Sequence, residues 1–153
     1  MSVSTRGDYA SRALLSLTLG GADSPVAVRD IAEQTCLPQP YLEQIFLALK
    51  VAGLVKSKRG VGGGYQLAKD PRDITLGMIV RVVDGPVALG DFGLPHEDGA
   101  CDHNGQCVLL SIWNAVGTRM RHQLESYTLA EVAQMARGET PWPAEIDTET
   151  VVV

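Results

Sequence analysis

The stretch CDHNGQC, from Cys101 to Cys107, places two thiols in one glycine- and acid-rich loop, with His103 between them and His96 just before. Thiolates are soft ligands that suit zinc and iron, and two of them could equally act as a redox pair. The third cysteine, Cys36 in the turn CLPQP, reads as a small buried apolar residue. An odd number of cysteines, without the marks of a secreted chain, argues against a disulfide framework. Enzyme chemistry finds little support. No C-x-x-C pair opens a helix, and no nucleophile, base and orienting group can be assembled, so the chain is expected not to be an enzyme.

Composition bounds the setting. The 153 residues suit one domain with a long appended element, and 45% hydrophobic content is enough for a real core. No run approaches the roughly 18 to 20 apolar residues that span a bilayer, and MSVSTRGDYASRALL lacks the pattern of a signal peptide. A cytoplasmic protein that does not meet a membrane is expected. The net charge of −5 conceals an asymmetry: residues 1–70 hold eight Lys and Arg against six Asp and Glu, whereas residues 71–153 hold five against twelve. A mildly basic front (+2) and an acidic back (−7) suit a chain that meets a phosphate backbone with one end only.

The elements that position these groups follow from periodicity. Ala10, Ala13, Leu14 and Leu17 predict a first helix from about Asp8, and Val28, Ile31, Ala32 and Thr35 a short second one. Pro40 opens a third helix with Leu42, Ile45, Phe46 and Leu49 inside and Tyr41, Gln44 and Ala48 outside, ended by Gly53. LVKSKRGVGGGYQLAK then predicts a β-hairpin with a glycine-rich tip. Three helices and a hairpin make a winged helix-turn-helix, whose third helix enters the DNA major groove while the hairpin tip reaches phosphates or the minor groove. Thr75 caps a fourth helix carrying Leu76, Ile79, Val80 and Val83. Trp113, Val116, Gly117, Met120 and Leu124 mark a long amphipathic helix, and TLAE at Thr128–Glu131 has capping-box spacing for a last one. A long helix leaving a small domain buries its stripe against a partner, so a homodimer is expected.

TRGDYASRALL, YLEQIF, RGVGGGYQL and the cysteine loop leading into CVLLSIWNAV resemble the IscR/NsrR-type family of bacterial winged-helix transcriptional regulators, over about residues 2–137. The resemblance implies a mainly α fold with a small β-hairpin, a long C-terminal dimerisation helix, and a homodimer on a double-stranded DNA operator. It divides the chain into a DNA-binding domain (1–85), a cysteine-containing sensor loop (86–106), the dimerisation and final helices (107–138) and a flexible acidic tail (139–153). DNA contacts implied by matched positions are Gln39, Tyr41, Glu43 and Gln44 in the third helix and Arg59, Gly60, Gly62, Gly63 and Gly64 in the wing. Glutamine can read adenine bidentately, arginine can enter a minor groove, and glutamate can accept from cytosine or repel a wrong base. The plainer readings are solvated helix surface, or a winged helix that binds protein.

Many members of that family hold an iron-sulfur cluster between the loop and the partner's first helix, commonly through three loop cysteines. Here Cys101 and Cys107 match two of them, the first falls near Pro95, and Leu110 stands where a histidine ligand would. The resemblance offers Asp8 as a carboxylate ligand, with His103 or His96 as a fourth, for a 2Fe-2S centre of mixed ligation. Zinc on the same set, or thiols that respond to oxidation or a small ligand without metal, are the alternatives. On its own, Asp8 is a helix N-terminal charge favoured by the macrodipole.

Overall fold

The computed structural model describes residues 3–21, 24–86, 102–103 and 106–143, with the backbone alone at 102, 103 and 106. Helix α1 spans Thr5–Leu19 and begins three residues before Asp8, because Ser4 caps it by accepting a hydrogen bond from the Gly7 N–H at 3.1 Å. Ser4 in turn donates through its hydroxyl to Asp84, at the far end of the fourth helix. Gly7 permits this contact, since a Cβ there would stand 2.6 Å from the Asp84 carboxylate. Ala10, Ala13 and Leu14 are fully buried along α1 and meet Ile31 of α2 (Val28–Thr35) and the inner face of α3 (Gln39–Val51).

The turn between α2 and α3 departs from the sequence expectation. Cys36 is not a buried filler but an exposed residue in the left-handed region, φ 56°, closing α2 with its N–H on the Ala32 carbonyl. A chain that reverses direction in so few residues needs one positive φ, and that conformation turns the side chain outward while Leu37 takes the core position. The left-handed conformation is costly for any residue with a Cβ and free for glycine. Cys36→Gly is therefore expected to stabilise the fold by about 0.5–1 kcal/mol, read as a raised urea midpoint at unchanged slope.

Strands β1 (Val55–Lys58) and β2 (Gly64–Leu67) form the antiparallel wing, with Val55 opposite Leu67 and Lys58 opposite Gly64. The wing is fastened at two points. The Tyr65 ring stacks on Phe46 of α3 with centroids 4.6 Å apart, and Tyr65 exchanges backbone hydrogen bonds with Val26 at 2.8 and 2.9 Å. That second seam leaves no room at the neighbouring residue: a Cβ on Gly64, whose φ is 146°, would lie 2.1 Å from the Val26 carbonyl oxygen.

A 3-10 turn at Pro71–Asp73 leads to α4 (Leu76–Asp84), capped by the Thr75 hydroxyl as its sequence predicts. Further on, β3 (Asp102–His103) pairs with β4 (Gln106–Cys107), and Cys107 is also the N-cap of the long helix α5 (Val108–Glu125). The last helix, α6 (Leu129–Ala136), starts in the capping box anticipated at Thr128 and Glu131. The Thr128 N–H and hydroxyl hold the Glu131 carboxyl below its ordinary pKa. From there the chain returns to the front of the molecule. The Leu129 N–H donates to the Ile74 carbonyl at 2.8 Å, the Leu76 N–H donates to the Tyr127 carbonyl at 2.9 Å, and Leu129 is fully buried in the core that α1 and α3 build. α4 and the end of α5 meet closely: Arg81 pairs with Glu125, and a Cβ on Gly77 would stand 2.6 Å from the Glu125 Cγ.

Candidate functional site

Helix α3 divides cleanly. Leu42, Ile45, Phe46 and Leu49 are fully buried, which sends Gln39, Tyr41, Glu43 and Gln44 to the opposite side, where all four are exposed. The expected positions are thus all exposed at the start of the helix, Gln39 and Glu43 on one flank and Tyr41 and Gln44 on the other. The helix N-cap, Pro38, makes no side-chain cap, but its carbonyl accepts from the Tyr41 and Leu42 N–H groups at 3.2 and 3.1 Å, and Pro40 has no N–H to satisfy. Tyr41 is braced from behind by an edge-to-face contact with Tyr9, centroids 5.6 Å apart. Gln39 donates its side-chain N–H to the Glu43 carboxylate at 3.0 Å.

At the wing, Arg59, Gly60 and Gly62 are exposed, and Gly63 and Gly64 are half-buried. Gly60 and Gly62 hold φ of 91° and 70°, and the Gly63 N–H closes on the Gly60 carbonyl at 3.0 Å, giving a tight tip with Val61 exposed between the glycines. A Cβ on Gly63 would overlap the Lys58 and Gly60 carbonyl oxygens, at 2.4 and 2.7 Å. The exposed Lys56 and Lys58 on β1 are the basic residues on the approach to the tip, and their alternation along the strand puts both charges on one side of it.

The cysteine side of the molecule is less complete. Cys107 is buried at the start of α5, and Asp102 stands opposite it across the β3–β4 pair. Cys101 and His96 lie outside the described residues, and for His103 only the backbone is described. Asp8, in the first turn of α1, forms an ion pair with Arg12 at 2.9 Å. Among the described residues no three His, Cys, Asp or Glu side chains come together in a way that could hold a metal ion. Beyond Cys107, α5 presents Val108, Leu109, Ile112, Trp113 and Val116 as exposed apolar residues. Leu109 and Ile112 extend the predicted stripe toward the start of the helix in the same helical phase, and Val108 lies off it. Trp142 donates its indole N–H to the Met135 carbonyl at 2.9 Å, while its ring stays largely exposed.

Comparison with known proteins places this geometry. The profile of the Rrf2 family, described as an iron-dependent transcriptional regulator, matches residues 3–135. The HTH-type transcriptional regulator IscR of Photobacterium profundum is 37% identical over 132 residues, covering 86% of this chain and 75% of the relative. The IscR of Aliivibrio salmonicida is 35% identical over the same length, with 86% of this chain and 77% of the relative covered. Among solved structures, T. potens IscR superposes with a TM-score of 0.72 at 35% identity, covering 94% of each chain. CymR, the global cysteine regulator of B. subtilis, superposes at 0.71 with 32% identity, covering 88% of this chain and 97% of that one. These relatives are regulators and not enzymes, and no helix among the described residues is long and apolar enough to cross a membrane. The chain belongs to the Rrf2 family of DNA-binding, helix-turn-helix transcriptional regulators.

Proposed function

We propose that the protein is a cytoplasmic, homodimeric regulator that reads a two-part operator with paired copies of α3 and the wing, and changes its grip in response to redox, iron or cluster status. The observation that carries the DNA-reading part is the division of α3, which buries Leu42, Ile45, Phe46 and Leu49 and exposes Gln39, Tyr41, Glu43 and Gln44 at its start, beside a glycine-rich tip that bears Arg59. In this reading Gln44 reads a base edge, Tyr41 and Arg59 grip phosphate or groove, Gly60 and Gly62 to Gly64 let the wing backbone approach the duplex, and Glu43 rejects wrong bases. One good base contact discriminates by roughly 1–3 kcal/mol, so selectivity needs two half-sites and therefore two copies. The exposed apolar run of α5 supports pairing with a second copy. Binding should weaken steeply with salt, and Arg59→Ala should lower the slope of log K against log salt by about 1 while weakening all sequences alike.

The donor types on the cysteine side suit a 2Fe-2S cluster held by Cys101, Cys107, His103 and the partner's equivalent of Asp8, and the IscR likeness supports that reading. Bound there, the cluster would supply a one-electron couple. The residues of the chain would translate its state into posture, because Asp8 lies on the helix that packs against α3 while Cys107 starts α5. Arg12 competes for Asp8, so the carboxylate has a resting partner when it is not a ligand. Visible absorption with iron and sulfide assay, on protein purified without oxygen, tests this directly. Cys101→Ala and Cys107→Ala are each expected to keep the fold and the dimer, lose the colour, and abolish a redox dependence of operator binding of about 5- to 150-fold. A colourless wild type would favour the second reading, which the Asp8–Arg12 pair and the CymR likeness support: a cluster-free regulator answering to zinc, thiol oxidation or a small ligand.

A further inference from the structure

We infer that Gln39 is a positioning residue for Glu43, so that the carboxylate on the DNA-facing surface of α3 rejects or accepts bases as a fixed group held by its neighbour's amide. The inference rests on the reading of α3 as the DNA-reading helix. Position 39 matched a DNA contact in the sequence, yet its side-chain N–H is committed to Glu43 Oε1 at 3.0 Å, one helical turn away. An amide can lie against a carboxylate only through its nitrogen, since the oxygen would be repelled, so the bond fixes the orientation of both groups. Pro40 adds to this. It holds the backbone of the first turn, and the Glu43 side chain, tilted toward the helix start, reaches back over that turn to Gln39.

The consequence is electrostatic. Among the described residues Glu43 has no cationic partner, and like Tyr41 and Gln44 it is exposed at the start of α3. A carboxylate facing DNA is repelled by phosphates and by the acceptor atoms of guanine, and it is welcome only where a cytosine or adenine amino group meets it. A freely rotating glutamate could swing away from a wrong base and forfeit that selectivity. Tied through one oxygen, it keeps the other in a set direction, and the pair presents one carboxylate oxygen and the Gln39 carbonyl as a joint acceptor edge.

The test uses the full-length protein and operators selected from random-sequence duplexes, with affinities for the selected site and its single-base variants measured at one salt concentration. Gln39→Met keeps length and helix preference but cannot donate. It is expected to relax discrimination about 3- to 10-fold at the same base step as Glu43→Ala, with nonspecific affinity unchanged or raised, and to add nothing in the Gln39→Met/Glu43→Ala double variant. Gln39→Glu, which sets two carboxylates together, is expected to lower discrimination at that step as well. All these side chains are exposed, so unchanged thermal midpoints accompany the effect. Effects of Gln39→Met at a different base step, additive with those of Glu43→Ala, would overturn the proposal and make Gln39 a direct reader. Unaltered discrimination in Gln39→Met would overturn it too. A wild type that binds DNA without sequence preference would instead fail the DNA-reading assignment on which the proposal rests.

Discussion

Gly64→Ala is expected to lower affinity for a selected operator about 10- to 100-fold while the helical core stays folded. Two costs coincide at this residue. Its φ of 146° suits glycine alone, and the added methyl would lie 2.1 Å from the Val26 carbonyl oxygen and 2.6 Å from the Ala27 nitrogen, both backbone atoms of a segment that cannot swing aside as a side chain can. Relief requires the exchanged hydrogen bonds between Val26 and Tyr65 to break, which frees the wing from the segment preceding α2. Strain at such a position is on the order of 1–3 kcal/mol and the broken seam adds to it, so the wing should lose its fixed approach to DNA before the core unfolds. Gly62→Ala is the control, because Gly62 has positive φ but open space around it and should cost far less. Fluorescence anisotropy on the selected duplex, beside far-UV circular dichroism, reads both quantities. An unchanged dissociation constant for Gly64→Ala would mean that the wing does not touch DNA.

Phe46→Ala carries the largest expected loss of stability, about 3–5 kcal/mol, out of a total that for a domain of this size is on the order of 5–15 kcal/mol. Phe46 is fully buried, packs among residues of α1, α3 and the wing strands, and stacks on Tyr65 at an interplanar angle of 24°. Truncation therefore opens a cavity at the joint between the reading helix and the wing and takes away the surface on which Tyr65 rests. Phe46→Leu fills most of the volume and should cost less than about 1.5 kcal/mol in packing, but it also loses the stack. Urea unfolding should show both midpoints lowered, the alanine variant further than the leucine. If Phe46→Leu keeps stability yet weakens operator binding, the ring contact positions the wing; equal binding at equal stability would assign Phe46 to the core alone.

Much of this architecture is legible without coordinates. The stripe Leu42, Ile45, Phe46 and Leu49 is a helical period with one apolar face, and that face is the fully buried one, so the exposed set Gln39, Tyr41, Glu43 and Gln44 follows from geometry. Thr75 and the Thr128–Glu131 box mark helix starts because unsatisfied N–H groups need acceptors at fixed offsets, and both caps form where the spacing puts them. Cys36 goes the other way: its residue type suggests burial, whereas the turn requires a positive φ that overrides type. The Gln39–Glu43 bond is invisible when each residue is assigned its own contact, and only their i, i+4 spacing hints that the two side chains meet.

The amino-acid pattern alone marks which segments are helices, where the hairpin turns, which side of α3 is buried, and that basic charge gathers in the front half. These are local properties, set by side-chain period, capping chemistry and the conformational freedom of glycine, and they need no distant partner. What is joined to what is set by packing between distant elements. α6 returns to bury Leu129 beneath α1 and thereby ties the residues after the long helix to the body that holds α3. The N-cap of α1 is completed by Asp84 from eighty residues away. The wing is held by Phe46 and Val26, neither of which any spacing rule connects to Tyr65. Such contacts depend on how preformed elements share one core, where close packing lets a single Cβ exclude an arrangement, and a one-dimensional pattern does not carry that information.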